Sequence, residues 1–187
     1  SGYWNGSYKF RGIDDRIDLG DQDSLFFSGN FTISAWINLL TSTTRRTIAS
    51  DYNSSGTGSS YLFEVNADNN LVLFWENPTA TLPKAIGATN LSNNTWYHVV
   101  GTWNGTTRSV YVDGVSDGTN NVSQARNDVG GNTMIGEAGS VNDLFFNGLI
   151  DEVMMWNRSL GATVIKDLYI KVRAKCVYTA PLNLTCS

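Results

Sequence analysis

The chain has 187 residues, 41% of them hydrophobic and 16% charged, with 18 glycines and only 3 prolines. This composition excludes an intrinsically disordered chain and indicates one β-rich globular domain. The net charge is -4, and Lys and Arg form no basic stripe, so the sequence lacks the positive surface typical of nucleic-acid-binding proteins and we set that class aside.

Membrane and targeting signals are missing from the sequence. No apolar run approaches the roughly 20 residues of a membrane span, so we expect no membrane insertion. The chain starts at Ser1 without a Met or a signal-like apolar segment, and we expect it to be a processed or excised piece.

Short strands separated by turn signals dominate the predicted elements, at the spacing of a β-sandwich. In chain order the predicted strands span residues 7–11, 16–19, 31–40, 61–66, 71–76, 96–103, 108–112, 134–136 and 145–156. The third is the clearest, because its odd-numbered residues from Phe31 to Ile37 are apolar while Ser34, Trp36 and Asn38 lie on the opposite face. This alternation predicts a strand of the core.

Hairpin turns and one short helix complete the predicted architecture. The segments "ADNN" at 67–70 and "NGTT" at 104–107 each join two strands, and "DG" at 113–114 turns the chain again. Residues 159–169 carry a helical apolar stripe, with Ser159 as the candidate N-cap. These elements predict an all-β, two-sheet antiparallel sandwich with one short helix near the C-terminus, over residues 1–170, and a tail at 171–187.

Two cysteines lie in that tail. Cys176 and Cys186 are close in sequence and have neither a CxxC spacing nor a histidine pair, so we predict a disulfide that closes a small loop. Two free thiols are the alternative. A disulfide is compatible with an oxidising, extracytoplasmic compartment.

Asparagine motifs favour the same compartment. The Asn-x-Ser/Thr motif occurs roughly twice as often as the Ser and Thr content alone would produce. We therefore predict a secreted or cell-surface glycoprotein, the alternative being that turns rich in Asn, Gly, Ser and Thr create the motif by accident. The candidate glycosylation sites are Asn5, Asn30, Asn53, Asn90, Asn93, Asn104, Asn121, Asn157 and Asn183.

Adjacent carboxylates occur within residues 146–157, a run that we predict to be a buried strand. Because alternation puts neighbouring residues on opposite faces, Asp151 and Glu152 are not expected to flank one glycosidic bond. Glu137 has no carboxylate two residues further on, and His98, the only histidine, is predicted to be a buried structural residue. We therefore predict that the chain is not an enzyme, and the lack of a His or Cys cluster argues against zinc.

Four phrases of the sequence together resemble one family. They are "YKFRGIDDRIDLGD", "NFTISAWINLL", "NTWYHVVGTWNGTTRSVYVDG" and "FNGLIDEVMMWNRSLGATVIKDLY". Their order and separation are similar to those of a laminin G-like domain of the concanavalin A-like lectin/glucanase superfamily. The resemblance implies a jelly-roll of two curved antiparallel sheets, with binding on loops at one rim or on the concave face. Since this sandwich carries adhesion domains, carbohydrate-binding modules, plasma lectins and hydrolases, the resemblance leaves the function open.

Asp151 requires a partner if its strand is buried. It is predicted to share a face with the apolar residues at 149, 153 and 155, where an uncompensated carboxylate costs several kcal/mol. The resemblance implies a structural calcium ion as that partner, with Asp14 or Asp15 and loop carbonyl oxygens as further ligands. The alternative is that backbone N–H groups of a neighbouring loop donate to Asp151.

Aromatic side chains form the candidate ligand surface, because sugars stack their C–H faces on Trp and Tyr rings. The tryptophans interpreted as core are Trp36, Trp96, Trp103 and Trp156. The candidate ligand-binding residues are Trp75, Tyr61, Trp4 and Tyr52, with ordinary packing as the alternative for each. Arg45 and Arg46, in the predicted loop after Leu40, could contact an acidic glycan or could simply be solvated.

These observations favour a non-catalytic extracellular recognition or adhesion domain that binds carbohydrate and is stabilised by calcium, with a glycan or glycoprotein as its partner. The alternative is a glycosylated structural subunit of a cell-surface layer or extracellular filament. Such a subunit would self-associate through the segment 1–7 or the cysteine-bearing tail.

Overall fold

The computed structural model describes residues 6–22, 25, 27, 29–41, 44–52, 59–75, 84–122, 131–138, 144–174, 176–179 and 183–186. In this part of the chain, two antiparallel six-stranded sheets and one helix are accompanied by a separate two-stranded hairpin. The prediction of an all-β, two-sheet jelly-roll sandwich with one helix near the C-terminus is confirmed.

The first sheet has the strand order β1-β12-β3-β8-β9-β10. Its strands are β1 (Tyr8–Arg11), β12 (Asn147–Trp156), β3 (Phe31–Leu39), β8 (Trp96–Trp103), β9 (Thr107–Val112) and β10 (Val115–Asn121). The alternation predicted for β3 is confirmed, because Phe31, Ile33 and Ile37 are fully buried in the core between the sheets.

The second sheet has the strand order β2-β11-β4-β5-β6-β7. Its strands are β2 (Ile17–Asp18), β11 (Asn132–Ile135), β4 (Arg46–Tyr52), β5 (Ser59–Val65), β6 (Leu71–Phe74) and β7 (Ala85–Ile86). In β5 and β6, Phe63 and Leu73 point into the core, whereas Leu62 and Phe74 belong to a smaller apolar cluster with Ala138. The two edge strands β2 and β7 contain only two residues each.

The strand β4 corrects the expected loop at Arg45 and Arg46. Arg46 begins this strand with a fully buried side chain, and its guanidinium donates to the carbonyl of Leu40 at 2.8 Å and to the side chain of Asn69. Arg45 donates to the carboxylate of Glu64 at 2.7 Å. Both guanidinium groups therefore have protein partners, which is neither of the two roles that the sequence suggested for them.

The helix α1 (Ala162–Ala174) covers the outer face of the first sheet. Its Tyr169 ring lies 5.9 Å from the ring of Trp36, centroid to centroid. The predicted N-cap at Ser159 is wrong, because the helix begins at Ala162 and the carbonyl of Gly161 accepts the N–H of Ile165 at 3.1 Å. The residues before Gly161 are instead tied to β3.

A buried histidine lies under this helix. His98 is fully buried, with its Nε2 atom 3.0 Å from Ser34 Oγ and its ring 5.4 Å from Trp36 and 6.0 Å from Tyr169. Burial lowers the pKa of His98 to about 4. The prediction of a buried structural histidine is confirmed.

The C-terminal segment is more regular than a plain tail. After α1, the strands β13 (Cys176–Thr179) and β14 (Asn183–Cys186) pair antiparallel. The register places Cys176 directly opposite Cys186, and cross-strand neighbours have the Cα separation that a disulfide can bridge. The disulfide stays a prediction, which this register supports.

The two sheets are joined tightly along one edge of the sandwich, between β10 and β7. The hydroxyl of Thr89 donates to Asp117 at 2.6 Å, and the N–H of Ala88 donates to the Asp117 carbonyl at 3.1 Å. Gly118 approaches the backbone of Ile86 so closely that a Cβ atom there would overlap the Ile86 carbonyl. We call this region the closed edge.

Candidate functional site

The opposite edge of the sandwich, between β1 and β2, contains a cleft of about 220 Å³, which we call the edge cleft. It is lined by Tyr8 and Phe10 of β1, Ile17 of β2, Ile135 of β11 and residues 150–153 of β12. Most of this lining is apolar, and its charged members among the residues that the structure describes are Asp151 and Glu152.

The edge cleft exists because an inward-facing aromatic residue is not covered. Tyr8 and Phe10 are separated by one residue of β1 and therefore face the same side of the sheet. Phe10 is 3% exposed and packs edge-on against Phe146, with the ring centroids 6.1 Å apart, whereas Tyr8 is 68% exposed. Since β2 spans only two residues, the second sheet ends before it reaches Tyr8, and the ring stays open at the mouth of the cleft.

A β-bulge forms one wall of the cleft. In the pairing of β12 with β3, Asp151 lies opposite Trp36 and Met154 lies opposite Ser34, so two residues of β12 face Ala35 alone. Glu152 lies in this bulge with a φ of 47°. The other described non-glycine residues with positive φ are Asn69, Asn94 and Asp113.

The positive φ of Glu152 is unusual for its residue type and for its position in a strand. Asn and Asp tolerate the left-handed region better than other non-glycine residues, and those three lie in turns or bends. Glu152 instead holds this conformation within a strand, at a cost of roughly 1–2 kcal/mol. Its carboxylate is exposed and, among the described residues, makes no hydrogen bond or ion pair.

The bulge corrects the predicted faces of β12. Asp151 was expected to be buried on a face shared with Val153 and Met155, but it is only half-buried. Val153 and Met155 pack against the core, whereas Asp151 lies opposite Trp36, whose side chain is on the helix-covered face. The inserted residue reverses the alternation after Asp151, so the argument for a buried, uncompensated carboxylate does not apply.

Asp151 and Glu152 both border the edge cleft, although Asp151 is paired with Trp36, whose side chain lies on the helix-covered face. Asp151 Oδ1 also accepts the backbone N–H of Glu152 at 2.9 Å. Part of the Asp151 carboxylate is therefore occupied with holding the bulge.

Asp14 and Asp15 are paired with Arg11. The Arg11 guanidinium donates to Asp15 at 2.7 Å and to Asp14 at 2.8 Å. The hydrogen bonds to Asp15 from the Arg11 side chain and from the Arg11 backbone N–H, with a smaller contribution from the charge of Arg11, lower the pKa of Asp15 to about 2. Within the described ranges, no group of three or more His, Cys, Asp or Glu side chains is placed to hold a metal ion. The predicted donor set is thus not assembled in this structure, and calcium stays a prediction.

A second arginine near the cleft is also paired. Arg16 Nε lies 3.2 Å from Glu137 Oε2, an ion pair without the geometry of a hydrogen bond. Glu137 is only 5% exposed, and this burial raises the pKa of its carboxyl group. Arg16 therefore offsets part of the cost of burying Glu137.

Two of the predicted ligand-binding aromatics lie in the core. Trp75 and Tyr61 are both 0% exposed, which contradicts their assignment to a ligand surface. Trp75 packs edge-on against Trp103, with centroids 4.8 Å apart, and the Arg108 guanidinium lies 3.3 Å above the Trp75 ring. Trp4 and the side chain of Tyr52 lie outside the described residues. Sequence analysis missed Tyr8, whose exposure depends on the short length of its neighbour across the cleft.

The glycosylation motifs differ in accessibility. Asn93 is half-buried, Asn5 and Asn53 lie outside the described residues, and only the backbone of Asn183 is described, in β14. The exposed asparagines are Asn30, Asn90, Asn104, Asn121 and Asn157. Glycosylation stays a prediction.

A shallow depression at one rim is a second candidate. It has a volume of about 530 Å³ and is lined by Thr106, Thr107, Asn121 and Val122. The described residues of this lining include no aromatic or charged side chain, and Thr107 Oγ1 donates to Asn121 at 2.9 Å. The edge cleft therefore offers more varied chemistry to a ligand.

Comparison with protein-family models identifies the superfamily of this sandwich. The laminin G-like model of the concanavalin A-like lectin/glucanases superfamily matches residues 11–166. The chain belongs to this superfamily. The predicted family resemblance is confirmed over most of the chain, and the edge cleft lies within a lectin-like fold. No curated relative matches the chain.

Solved structures of the same fold include sugar-bound domains. Domain 4 of AbnA, a GH43 extracellular arabinanase from Geobacillus stearothermophilus in complex with arabinotriose, is 19% identical, with a TM-score of 0.69, covering 90% of this chain and 78% of that one. The Ruminococcus gnavus IT-sialidase CBM40 bound to alpha2,3 sialyllactose is 10% identical, with a TM-score of 0.72, covering 87% and 97%.

A third similar structure is the heptameric SAP-like pentraxin from Limulus polyphemus, which is 19% identical with a TM-score of 0.66, covering 86% of this chain and 80% of that one. At these identities, the similarity to the three solved structures shows a shared fold alone.

Among the residues that the structure describes, no helix has the length and apolar character that crossing a bilayer requires.

Proposed function

We propose that the chain is a non-catalytic carbohydrate-recognition domain that binds a sugar in the edge cleft. The observation that carries the proposal is the inward-facing Tyr8 ring, 68% exposed at the mouth of an apolar cleft beside Glu152. An apolar pocket with a few convergent polar groups is the usual form of a small-molecule site. Here the ring provides a stacking surface, and the carboxylate can accept hydrogen bonds from sugar hydroxyls.

The size of the cleft supports a small ligand. A volume of about 220 Å³ is below the range of about 300–1,000 Å³ for pockets that enclose drug-sized molecules. One sugar ring, at the end of a chain or as a branch, matches this volume better than the interior of a polysaccharide. The sugar-bound domains of the same fold, with arabinotriose and with sialyllactose, add support for a glycan as the ligand class.

The non-catalytic part of the proposal rests on the arrangement of the carboxylates. Glycoside hydrolases place two carboxyl groups on either side of the scissile bond, about 5–5.5 Å apart in retaining enzymes and about 6.5–9.5 Å in inverting ones. Asp151 and Glu152 are consecutive, and Asp151 Oδ1 is held by the N–H of Glu152. Reducing-sugar release from β-glucan or arabinan that is lost in Glu152→Gln would contradict this part.

An extracellular or cell-surface location is the setting that we propose for such a domain. It is supported by the exposed Asn-x-Ser/Thr motifs and by the opposed cysteines of the C-terminal hairpin. The predicted structural calcium and the self-associating alternative stay predictions. Unfolding curves with and without a chelator test calcium, and size-exclusion chromatography at high concentration tests self-association.

Titration calorimetry with a panel of neutral oligosaccharides tests the proposal. We expect Tyr8→Ala to weaken binding of whichever sugar binds by about twofold to tenfold, because aromatic stacking contributes about 0.5–1.5 kcal/mol. Tyr8→Phe should bind nearly as well, since it keeps the ring. The control is Val115→Ala, at an exposed residue of the closed edge.

The proposal fails if no sugar binds, or if Tyr8→Ala binds as the wild-type protein does. A loss of binding in Tyr8→Ala counts only if its unfolding free energy matches that of wild type. We expect this match, because a side chain that is mostly exposed contributes little to burial.

A further inference from the structure

We infer that the edge cleft selects its sugar by charge: it accepts a neutral or amino sugar and rejects a sugar acid. This inference rests on the proposed function and specifies its ligand class. It follows from the charged groups that border the cleft, from their existing partners and from the direction in which each one projects.

The negative charges of the cleft are its own lining residues. Asp151 is half-buried and Glu152 is exposed, and none of the described residues that line the cleft carries a positive charge. A ligand that enters between Tyr8 and the bulge therefore meets the exposed Glu152 at the border of the cleft.

The basic residues next to the cleft do not compensate this charge. Arg11 is held by Asp14 and Asp15 at 2.7–2.8 Å, and Arg16 lies 3.2 Å from Glu137. Each of these guanidinium groups already has a carboxylate partner.

Lys9 is turned away from the cleft. It lies between Tyr8 and Phe10 on β1, both of which face inward, so strand alternation directs its side chain to the opposite face. Its partner in the register is Leu149, whose neighbour Ile150 lines the cleft. Among Lys9, Arg11 and Arg16, none is free to meet an acidic ligand in the cleft.

The geometry of the bulge keeps Glu152 available. Its main chain is fixed by β12 on both sides and by the hydrogen bond from its N–H to Asp151. A sugar ammonium group at this position would form a charge-assisted hydrogen bond, which is stronger than a neutral one. A sugar carboxylate would meet like charge there and, among the basic residues described beside the cleft, would find none free to pair with it.

The experiment compares methyl glucoside with two relatives that each differ from it in one group: the methyl glycoside of glucosamine, with an ammonium group at C2, and that of glucuronic acid, with a carboxylate at C6. Binding is measured by titration with backbone-amide NMR shifts, at low salt and about pH 6, where the amino sugar is protonated. We expect glucosamine to bind about threefold to tenfold more tightly than glucose, and glucuronic acid to bind more weakly than both.

Two variants test whether the charge of Glu152 causes the preference for glucosamine. Glu152→Gln keeps the size of the side chain and removes its charge, so the preference for glucosamine over glucose should fall toward onefold. Asp167→Asn removes an exposed carboxylate on α1 that does not line the cleft, and it should leave the preference unchanged. Added salt should reduce the preference in the wild-type protein.

The outcomes separate the inference from the proposed function. If the three glycosides bind in the cleft equally, if glucuronic acid binds most tightly, or if the preference survives in Glu152→Gln, the charge selection is wrong and sugar recognition stands. If none of the glycosides shifts the amides of the cleft while an oligosaccharide of the panel does, the charge selection is wrong and sugar recognition stands; if no sugar of the panel binds to the folded protein either, both proposals are wrong.

Discussion

The two edges of the sandwich differ in how completely they are sealed. At the closed edge, Asp117 accepts hydrogen bonds from Thr89, and Gly118 lets β10 approach the backbone of β7. At the edge cleft, the two-residue strand β2 leaves the inward face of Tyr8 exposed. Both edges use a two-residue strand of the second sheet, so strand length alone does not decide whether an edge is open.

The side chains at each edge decide the difference. Small and hydrogen-bonding residues let β10 and β7 meet, whereas the exposed Tyr8 and the bulge at Glu152 border an open cleft at the other edge. A side chain added at Gly118 should therefore disrupt the closed edge, whereas changes to the exposed side chains of Tyr8 and Glu152 should alter binding with little loss of stability. Two predictions test this comparison, and a third concerns the helix-covered face.

The largest effect is expected from a side chain introduced into the closed edge. Gly118→Val places a Cβ atom against the backbone carbonyl of Ile86, which cannot move without disrupting β7. We expect a loss of unfolding free energy of about 3–4 kcal/mol in urea denaturation. Gly29→Val is the control, since no atom lies within 4 Å of a Cβ at Gly29. Equal stability of the two variants would show that the closed edge is not tightly sealed.

An effect of nearly this size is expected from acidification, which acts on the helix-covered face rather than on either edge. His98 has a pKa of about 4 when folded, against about 6.5 in the unfolded chain. Between these values the unfolded state binds more protons, so stability falls as pH decreases. The shift corresponds to about 3 kcal/mol, fully present above pH of about 6.5 and lost by about pH 4.

The measurement is the unfolding free energy of wild type and His98→Gln at several pH values across this window. The wild-type protein should lose more stability than the variant as the pH falls. The Asp15 carboxyl, whose pKa is lowered to about 2 by Arg11, titrates below this window. Parallel pH profiles of the two proteins would contradict the assignment to His98.

The smallest effect on stability, and the one of opposite sign, is expected at the open edge. Glu152→Gly relieves the cost of a φ of 47° in a residue with a Cβ atom, so we expect a gain of up to about 1 kcal/mol. The same variant should lose sugar binding. Asn94→Gly is the control, because asparagine already tolerates its φ of 59° and little should change. A destabilised Glu152→Gly would show that the carboxylate supports the fold.

Much of the fold could be predicted from the sequence, because apolar alternation reports burial directly. The strand at Phe31 and the hairpin turns followed from this pattern, whereas β4 and β10 were missed. The strand β10, "VSDGTNN", contains no large apolar residue after Val115 and forms through backbone pairing with β9 and contacts with β7. Its residues give no periodic signal that could distinguish it from a loop.

The candidate site could be predicted only in part. Asp151 borders the edge cleft, but the faces predicted for this strand were wrong because one inserted residue reverses the alternation, and nothing in "LIDEVMMW" marks the insertion. Tyr8 was missed because its exposure depends on where β2 ends, 9 or more residues later in the chain. Trp75 and Tyr61 were assigned to the surface although both are large rings that the core could accept.

The central claim is that the sugar binds in the edge cleft, and neither at the closed edge nor in the rim depression. The most direct measurement is a map of backbone-amide shifts during titration with a sugar that binds. We expect the largest shifts at Tyr8 and at residues 150–153, with little change at Asp117 and Gly118. Shifts concentrated at the closed edge, or at Thr106 and Asn121, would contradict the account.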